Sequence, residues 1–139
     1  MRIVHVSDIH LTSVYYKSEW GGKLISAYIS QKLSVKSKVR ILALHHHLIP
    51  IPGTGREQHI PSDAGDVLEL CKQLDINFVL SGHKHKPWIW KLEDTYLVTA
   101  GTATTLRLKG NSYPSFNIME IEEGRVLLKE VNVSRLKST

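Results

Sequence analysis

The sequence predicts an α/β fold whose second part is rich in strands, most simply two packed sheets flanked by helices. Short apolar runs alternate with amphipathic segments up to residue 80, and strand-like runs with short connections follow from residue 88. No repeat, low-complexity tract or domain linker interrupts the 139 residues. We therefore expect a single domain that covers residues 1–139.

The first part of the chain alternates predicted strands with predicted helices. Short β-branched or continuous apolar runs predict the strands. The run Val39–Leu44 is typical of a strand buried on both faces. Apolar residues at helical spacing predict the helices, and the second helix begins at a residue that can cap it. The strands are Arg2–Val6, Val39–Leu44 and Asn77–Leu80; the helices cover 24–33 and a segment capped by Ser62 or Asp63.

The second part reads as four strands joined by short connections. Glu123 and Gly124 form a predicted hairpin turn between the last two. Trp88 and Trp90 alternate with Ile89, so both indoles are expected on one face, in a core or an interface rather than a platform for stacking bases. The strands are Trp88–Leu92, Tyr96–Ala100, Phe116–Ile121 and Arg125–Val131.

The composition, 42% hydrophobic and 22% charged residues, is that of an ordinary globular protein. No apolar run approaches the ~20 residues that a membrane helix needs, so no membrane role is expected. Cys71 is the one cysteine, which excludes an internal disulfide, and no export signal precedes the first strand. These features favour a reducing, cytoplasmic setting.

Basic residues are concentrated between Lys17 and Arg40. This segment carries six lysine or arginine residues and one glutamate, which accounts for the net charge of +5. Such a patch can attract phosphate-bearing partners, nucleic acid among them. A solvated helix face is the simpler explanation, so nucleic-acid binding is the weakest of the functional hypotheses.

Three predicted strands end in side chains that bind metals. The first is followed by Asp-x-His, the second by three consecutive histidines and the third by His-x-His. Residues two apart in an extended segment point to the same side, and sites in α/β sheets lie beyond the carboxyl ends of strands. Imidazole with carboxylate suits Zn, Mn or Fe better than Ca or Mg. The residues are Asp8, His10, His45, His46, His47, His83 and His85.

At these motifs the sequence resembles the calcineurin-like metallophosphoesterases. The similar stretches are "SDIHL", "LALHHHLIP" and "LSGHKHKP", with "VTAGTATTL" resembling the late portion of the family. The resemblance covers nearly the whole chain in order. It implies a metallophosphoesterase-like β-sandwich flanked by helices, and hydrolysis of phosphomonoesters or phosphodiesters at a divalent transition-metal centre of one or two ions.

The resemblance also implies a ligand set. Asp8, His10 and His85 match the ligands of the first metal, and His83 matches a ligand of the second. One histidine of the triple joins His83. His45 is our choice because it directly follows the apolar run.

The other two histidines of the triple are less sharply assigned. His46 is the alternative ligand, or a contact to the substrate phosphate. His47 is expected to be structural or exposed. The sequence alone does not separate these roles.

Two motifs of the family are missing, so the chain resembles a member whose middle has been removed. One motif carries the aspartate that bridges two metals; the other carries a ligand asparagine and a histidine that acts on the leaving group. The 34 residues between His10 and His45 contain no aspartate, asparagine or histidine. Gly65-Asp66 resembles part of one motif, but helix capping and the helix dipole explain Asp63 and Asp66.

The resemblance with these gaps gives two functional hypotheses. The first is a metal-dependent phosphoesterase of reduced activity, and the second is a catalytically silent metal-binding or oligomerising module on the same fold. Missing central strands would expose strand edges and apolar faces, which invite association. We therefore expect a homo-oligomer, most simply a dimer.

Overall fold

A computed structural model of the chain shows two β-sheets with a helix packed on one of them. It describes residues 2–5, 39–55, 60–104, 108, 112–123 and 125–136. The predicted α/β class is confirmed, and the helix predicted over 24–33 lies outside the described residues. The elements are β1 (Arg2–His5), β2 (Ile41–Ala43), α1 (Ala64–Gln73), β3 (Phe78–Ser81), β4 (Trp88–Leu92), β5 (Thr95–Thr99), β6 (Ser115–Glu122), β7 (Arg125–Asn132) and α2 (Val133–Leu136).

The first sheet has the strand order β2-β3-β5-β4. Strands β2, β3 and β5 are parallel, and β4 runs antiparallel to β5. Ser81 at the end of β3 pairs with Thr99 at the end of β5, which pairs in turn with Trp88 at the start of β4. The carboxyl ends of the parallel strands and the start of β4 therefore share one edge of the sheet.

The second sheet is antiparallel, with the order β1-β6-β7. Glu122 pairs with Arg125, which leaves two residues for the connection and matches the predicted hairpin. Strand β1 is in this sheet and not beside β2 and β3. A site formed by residues that follow β1 together with residues that follow β2 and β3 would therefore lie between the two sheets.

Two apolar clusters define three layers. Phe78, Leu80 and Val98 of the first sheet pack with Met119 of the second, so the two sheets face each other. On the opposite face of the first sheet, α1 packs against β3 and β5. Alternation along each strand produces this division, because successive side chains point to opposite faces. Neither helix in the described part of the chain is long and apolar enough to cross a membrane.

The prediction that residues 39–44 form a strand buried on both faces is wrong. The strand covers only Ile41–Ala43; Ile41 and Leu42 are half-buried and Ala43 is exposed. Among the described strands β2 is the outermost of its sheet. An outermost strand lacks one neighbour, so a continuous apolar run does not guarantee burial on both sides.

Helix α1 begins at the acidic cap that the sequence suggested. Asp63 occupies the N-cap position, and its carbonyl accepts a hydrogen bond from the Val67 amide at 3.1 Å. Its side chain makes no capping hydrogen bond, while Asp66 lies in the first turn, where the helix dipole favours negative charge. The position of Asp66 agrees with the helix-dipole explanation, and Asp63 occupies the N-cap position without the capping hydrogen bond that was expected of its side chain.

Cys71 lies in the core between α1 and the first sheet and is 2% exposed. Burial raises the pKa of its thiol from 9.0 to about 11. Since the thiolate is the reactive form, we expect very slow alkylation of the native protein at pH 8 and complete alkylation in denaturant. The pKa of the thiol is higher in the folded state than in the unfolded state. Burial of the neutral thiol therefore contributes fully to the free energy of unfolding below pH 9, and this contribution is lost as the pH rises toward 11.

The labelling time course can be followed by mass spectrometry, with and without urea. A native thiol that reacts as fast as the unfolded one would contradict the packing of α1 on the sheet. The same experiment reports whether substituted variants keep this core.

Candidate metal centre

The backbone brings the histidine triple beside the His-x-His segment. Strands β2 and β3 are parallel neighbours, and the pairing continues past their ends. The Leu44 amide donates to the Leu80 carbonyl at 2.8 Å, and the Gly82 amide donates to the His45 carbonyl at 3.0 Å. Gly82 immediately precedes His83, and His45 is the first histidine of the triple. The hydrogen bond between them therefore sets the distance between the two segments.

His45, His46 and His83 form a cluster. One ring nitrogen from each lies within 4.8 Å of those of the other two. Nδ1 of His83 and Nε2 of His45 are 3.2 Å apart. The ring centroid of His46 lies 4.7 Å from that of His45 and 4.4 Å from that of His83. His45 and His46 are exposed and His83 is half-buried, so the cluster is open to solvent.

His83 and His85 both adopt backbone conformations that side chains seldom take. Their φ angles are +70° and +56°, in the left-handed region, on either side of Lys84. Histidine is among the residues enriched there, yet the conformation costs roughly 1–2 kcal/mol per residue. Both strained residues lie in the turn that directly follows β3. Strained backbone conformations of this kind are often found at functional sites.

The remaining predicted ligands are not part of this cluster. His85 is buried, with 8% exposure, and lies outside the group of three histidines. Asp8 and His10 lie outside the described residues. The structure therefore brings together His45, His46 and His83 from the predicted set, while the first metal site stays a prediction.

His47 is buried behind the cluster, as the structural alternative expected. It is 2% exposed and its ring stacks on His83, with centroids 6.1 Å apart and planes at 18°. Burial, reinforced by the positive charge of Lys84, lowers the pKa of His47 to about 4, so the ring is neutral at pH 7. Within the described residues neither of its ring nitrogens has a hydrogen-bond partner.

Two lysines, which no sequence motif indicated, connect the His-x-His turn to the loop that follows the histidine triple. Nζ of Lys84, a buried side chain, donates to the Gly55 carbonyl at 3.2 Å. Nζ of Lys86 donates to the Pro52 carbonyl at 2.7 Å. The loop after the histidine triple is thereby fastened to the His-x-His turn. The sequence carried no signal for these two roles, because both hydrogen bonds join segments that only the fold brings together.

The tryptophan pair lies beside this loop. Trp88 and Trp90 share one face of β4 as predicted, with ring centroids 6.0 Å apart. Trp88 is half-buried, and Trp90 is 37% exposed and donates to the Pro50 carbonyl at 3.3 Å. The alternative that places both in a core is therefore wrong, because β4 is the outermost strand of its sheet among the described strands.

Comparison with known proteins supports the fold. No protein-family profile matches the chain. A probable cyclic nucleotide phosphodiesterase of Xenorhabdus bovienii is 31% identical over 65 residues, which span 46% of this chain and 26% of that protein. GAP50, described as the anchor in the inner membrane complex of Plasmodium, superposes over 90% of this chain and 42% of its own, with a TM-score of 0.62 and 16% identity.

A second solved structure superposes on this chain over nearly the whole length of both proteins. A predicted phosphoesterase from Streptococcus pneumoniae superposes over 96% of this chain and 90% of its own, with a TM-score of 0.52 and 12% identity. This chain has the calcineurin-like metallophosphoesterase fold. The predicted fold class is confirmed.

Proposed function

We propose that the chain is a metal-dependent phosphoesterase that hydrolyses phosphodiesters or phosphomonoesters with reduced activity. The observation that carries the proposal is the pairing of His45 and His83, whose ring nitrogens lie 3.2 Å apart at the ends of two parallel strands. The phosphodiesterase relative and the predicted phosphoesterase with the same fold support the reaction class.

The residues present fit a divalent transition metal. Zinc–imidazole bonds of 2.0–2.1 Å place two ligand nitrogens of a tetrahedral site about 3.3 Å apart. The separation between His45 and His83 is 3.2 Å. The proposed ligands of one or two ions are Asp8, His10, His45, His83 and His85.

A bound divalent ion supplies Lewis acidity toward a phosphoryl oxygen. The chain supplies the surroundings. Lys84 places a positive charge beside the histidines, which favours an anionic substrate. His46, exposed on the same surface, is either a contact to the substrate phosphate or a further ligand.

Reduced activity follows from the missing motifs. No aspartate, asparagine or histidine lies between His10 and His45 to bridge two metals or act on the leaving group. Loss of one group that stabilises charge in the transition state typically costs ~10²–10³ in rate. We therefore expect turnover of substrates with good leaving groups only.

The test is hydrolysis of bis(para-nitrophenyl) phosphate with Mn²⁺, Zn²⁺ or Fe²⁺ added to the metal-stripped protein. We expect metal-dependent release of para-nitrophenol above the rate with metal in buffer, and loss of that release on chelation. In His85→Ala, which lacks a proposed ligand, this release should be abolished. Equal rates for protein and buffer would overturn the proposal.

A silent metal-binding or oligomerising module is the second candidate. The structural similarity to GAP50, described as an anchor, shows that proteins with other roles share this fold. This candidate predicts metal binding without turnover. Light scattering tests the homodimer that both candidates include, and both are consistent with a cytoplasmic location.

A further inference from the structure

We propose that β4 is the interface of a symmetric homodimer, in which the β4 strands of two copies pair antiparallel about a two-fold axis at Trp90. The two four-stranded sheets then form one continuous sheet across the axis. This surface lies on a strand and not on the turn that carries His83. Its test therefore depends neither on turnover nor on metal binding.

Strand β4 combines an outer edge with exposed apolar side chains. Among the described strands it pairs with β5 alone. The backbone N–H and C=O groups on the outer side of such a strand are a template for pairing with another chain. Ile89 and Leu92 are 52% and 43% exposed, and Trp90 and its β5 neighbour Tyr96 are exposed as well. A second strand along this edge would cover both the backbone groups and the apolar side chains.

The sequence of β4 favours a second copy of the chain as the covering strand. Residues directly opposite each other in an antiparallel pair share a face, so a two-fold axis perpendicular to the sheet passes at a residue. An axis at Trp90 overlaps all five residues of β4. Trp88 then opposes Leu92 of the partner subunit, and Trp90 opposes its own copy. On the other face Ile89 opposes Lys91 of the partner subunit, so no like charges meet.

Other positions of the axis give poorer pairings. An axis at Lys91 places two lysines opposite each other, which destabilises a strand pair. An axis at Ile89 overlaps three residues of β4 and brings Pro87, which has no N–H to donate, into the pairing. The symmetry of the segment therefore selects one register.

The two polar groups of β4 side chains nearest this axis already have partners within the subunit. Nε1 of Trp90 donates to the Pro50 carbonyl at 3.3 Å, so covering the indole leaves no N–H unsatisfied. Nζ of Lys91 lies 5.4 Å from the ring centroid of Tyr96 on β5 and thus leans away from the outer edge. Pairing of the two strands therefore does not require either group to lose its partner.

The arrangement leaves each subunit its own metal centre. Trp88 at the start of β4 pairs with Thr99 at the end of β5, on the edge of the sheet that carries the histidine cluster. Antiparallel pairing of two β4 strands places the two clusters at opposite edges of the joined sheet. Dimer formation and hydrolysis can therefore be measured separately.

The first experiment is light scattering on the full chain from micromolar to near-millimolar concentration. The wild type should form a dimer. Ile89→Lys should weaken it roughly 10-fold or more, because the symmetry places two lysine pairs opposite each other. Ile89→Glu is the matched control: it places a carboxylate opposite Lys91 of the partner subunit, so the dimer should persist and become sensitive to salt. Alkylation of Cys71 reports whether both variants are folded.

The second experiment tests the register with engineered cysteines and mild oxidation. In Trp90→Cys the two Cα atoms lie about 4.5–5.5 Å apart across the axis, within the range of a disulfide. In Leu92→Cys they are four residues out of register and about 13 Å apart, too far for a disulfide. A non-reducing gel should show a covalent dimer for Trp90→Cys and little for Leu92→Cys. The buried Cys71 does not compete.

Three results would overturn the proposal. The first is a wild type that stays monomeric, which would leave the edge of β4 to an extended segment of another protein. The second is a dimer that is equally stable in Ile89→Lys, which would place the interface elsewhere. The third is equal crosslinking of Trp90→Cys and Leu92→Cys, which would show random collision and not the register. A dimer without hydrolysis would refute only the phosphoesterase proposal.

Discussion

Replacing His83 with alanine is expected to abolish metal binding at the histidine cluster and to lower any metal-dependent hydrolysis strongly. His83 belongs to the ligand set proposed above, and its Nδ1 is 3.2 Å from Nε2 of His45. Without it, two exposed histidines remain in the cluster, and no described carboxylate joins them there. We expect hydrolysis to fall by roughly 10²–10³-fold or to background, the loss typical of one charge-stabilising group.

The substitution also acts on the backbone, and this effect needs its own control. Alanine at a φ of +70° is less favourable than histidine, which tolerates the left-handed region better. Glu93→Ala is the control variant at a second position with positive φ: Glu93 has a φ of +52° and lies in the turn between β4 and β5, at the opposite end of β4 from the site. We expect a small loss in the free energy of unfolding for His83→Ala. For Glu93→Ala we expect only the small loss of its exposed ion pair with Lys72, because glutamate is not enriched in the left-handed region.

The measurements are calorimetry with Zn²⁺, hydrolysis of bis(para-nitrophenyl) phosphate and urea unfolding on both variants. Glu93→Ala should keep the metal affinity and rate of the wild type. If His83→Ala kept both as well, the histidine cluster would not be the functional site. If both variants lost both properties, the loss would come from the fold.

The sequence predicted the strand ends better than the way the strands assemble. Local alternation and flanking glycine placed β3 and the turn that begins at His83, because these are properties of a few neighbouring residues. Sheet membership depends on pairing between distant segments, so the placement of β1 beside β6 could not be read from the order of the motifs. The partial exposure of β2 has the same cause.

Within the site, residue type identified the cluster but not the part played by each histidine. Three consecutive histidines look alike in sequence, and only the structure separates the exposed His45 and His46 from the buried His47. The role of Lys84 in fastening the loop depends on a contact with Gly55, 29 residues away. Such contacts follow from the fold and leave no local pattern.

Gly101 illustrates a constraint that links the fold to the site. It follows β5, and a methyl group at its Cα would collide with Oγ of Ser115 and lie 3.4 Å from Cδ of Pro87. Pro87 comes two residues after His85, and Ser115, fully buried, begins β6. The close approach therefore joins the first sheet, the second sheet and the segment that carries the His-x-His turn.

Gly101→Ala is expected to lower the free energy of unfolding by about 1–3 kcal/mol, the usual cost of overpacking a buried site. The reason is steric, because the φ of Gly101 is not in the left-handed region. For a chain of this size the melting temperature should fall by roughly 4–12 °C. Thermal and urea unfolding measure both quantities, and a shift of Pro87 should also weaken metal binding.

Ser115→Ala is the partner substitution that tests this reason. Oγ of Ser115 is buried and has no hydrogen-bond partner among the described residues, so its removal alone should be neutral or stabilising. In the double variant the colliding oxygen is absent, and most of the stability lost in Gly101→Ala should return. Strictly additive effects in this cycle would show that the collision with Ser115 is not the cause, because only residues in contact couple strongly.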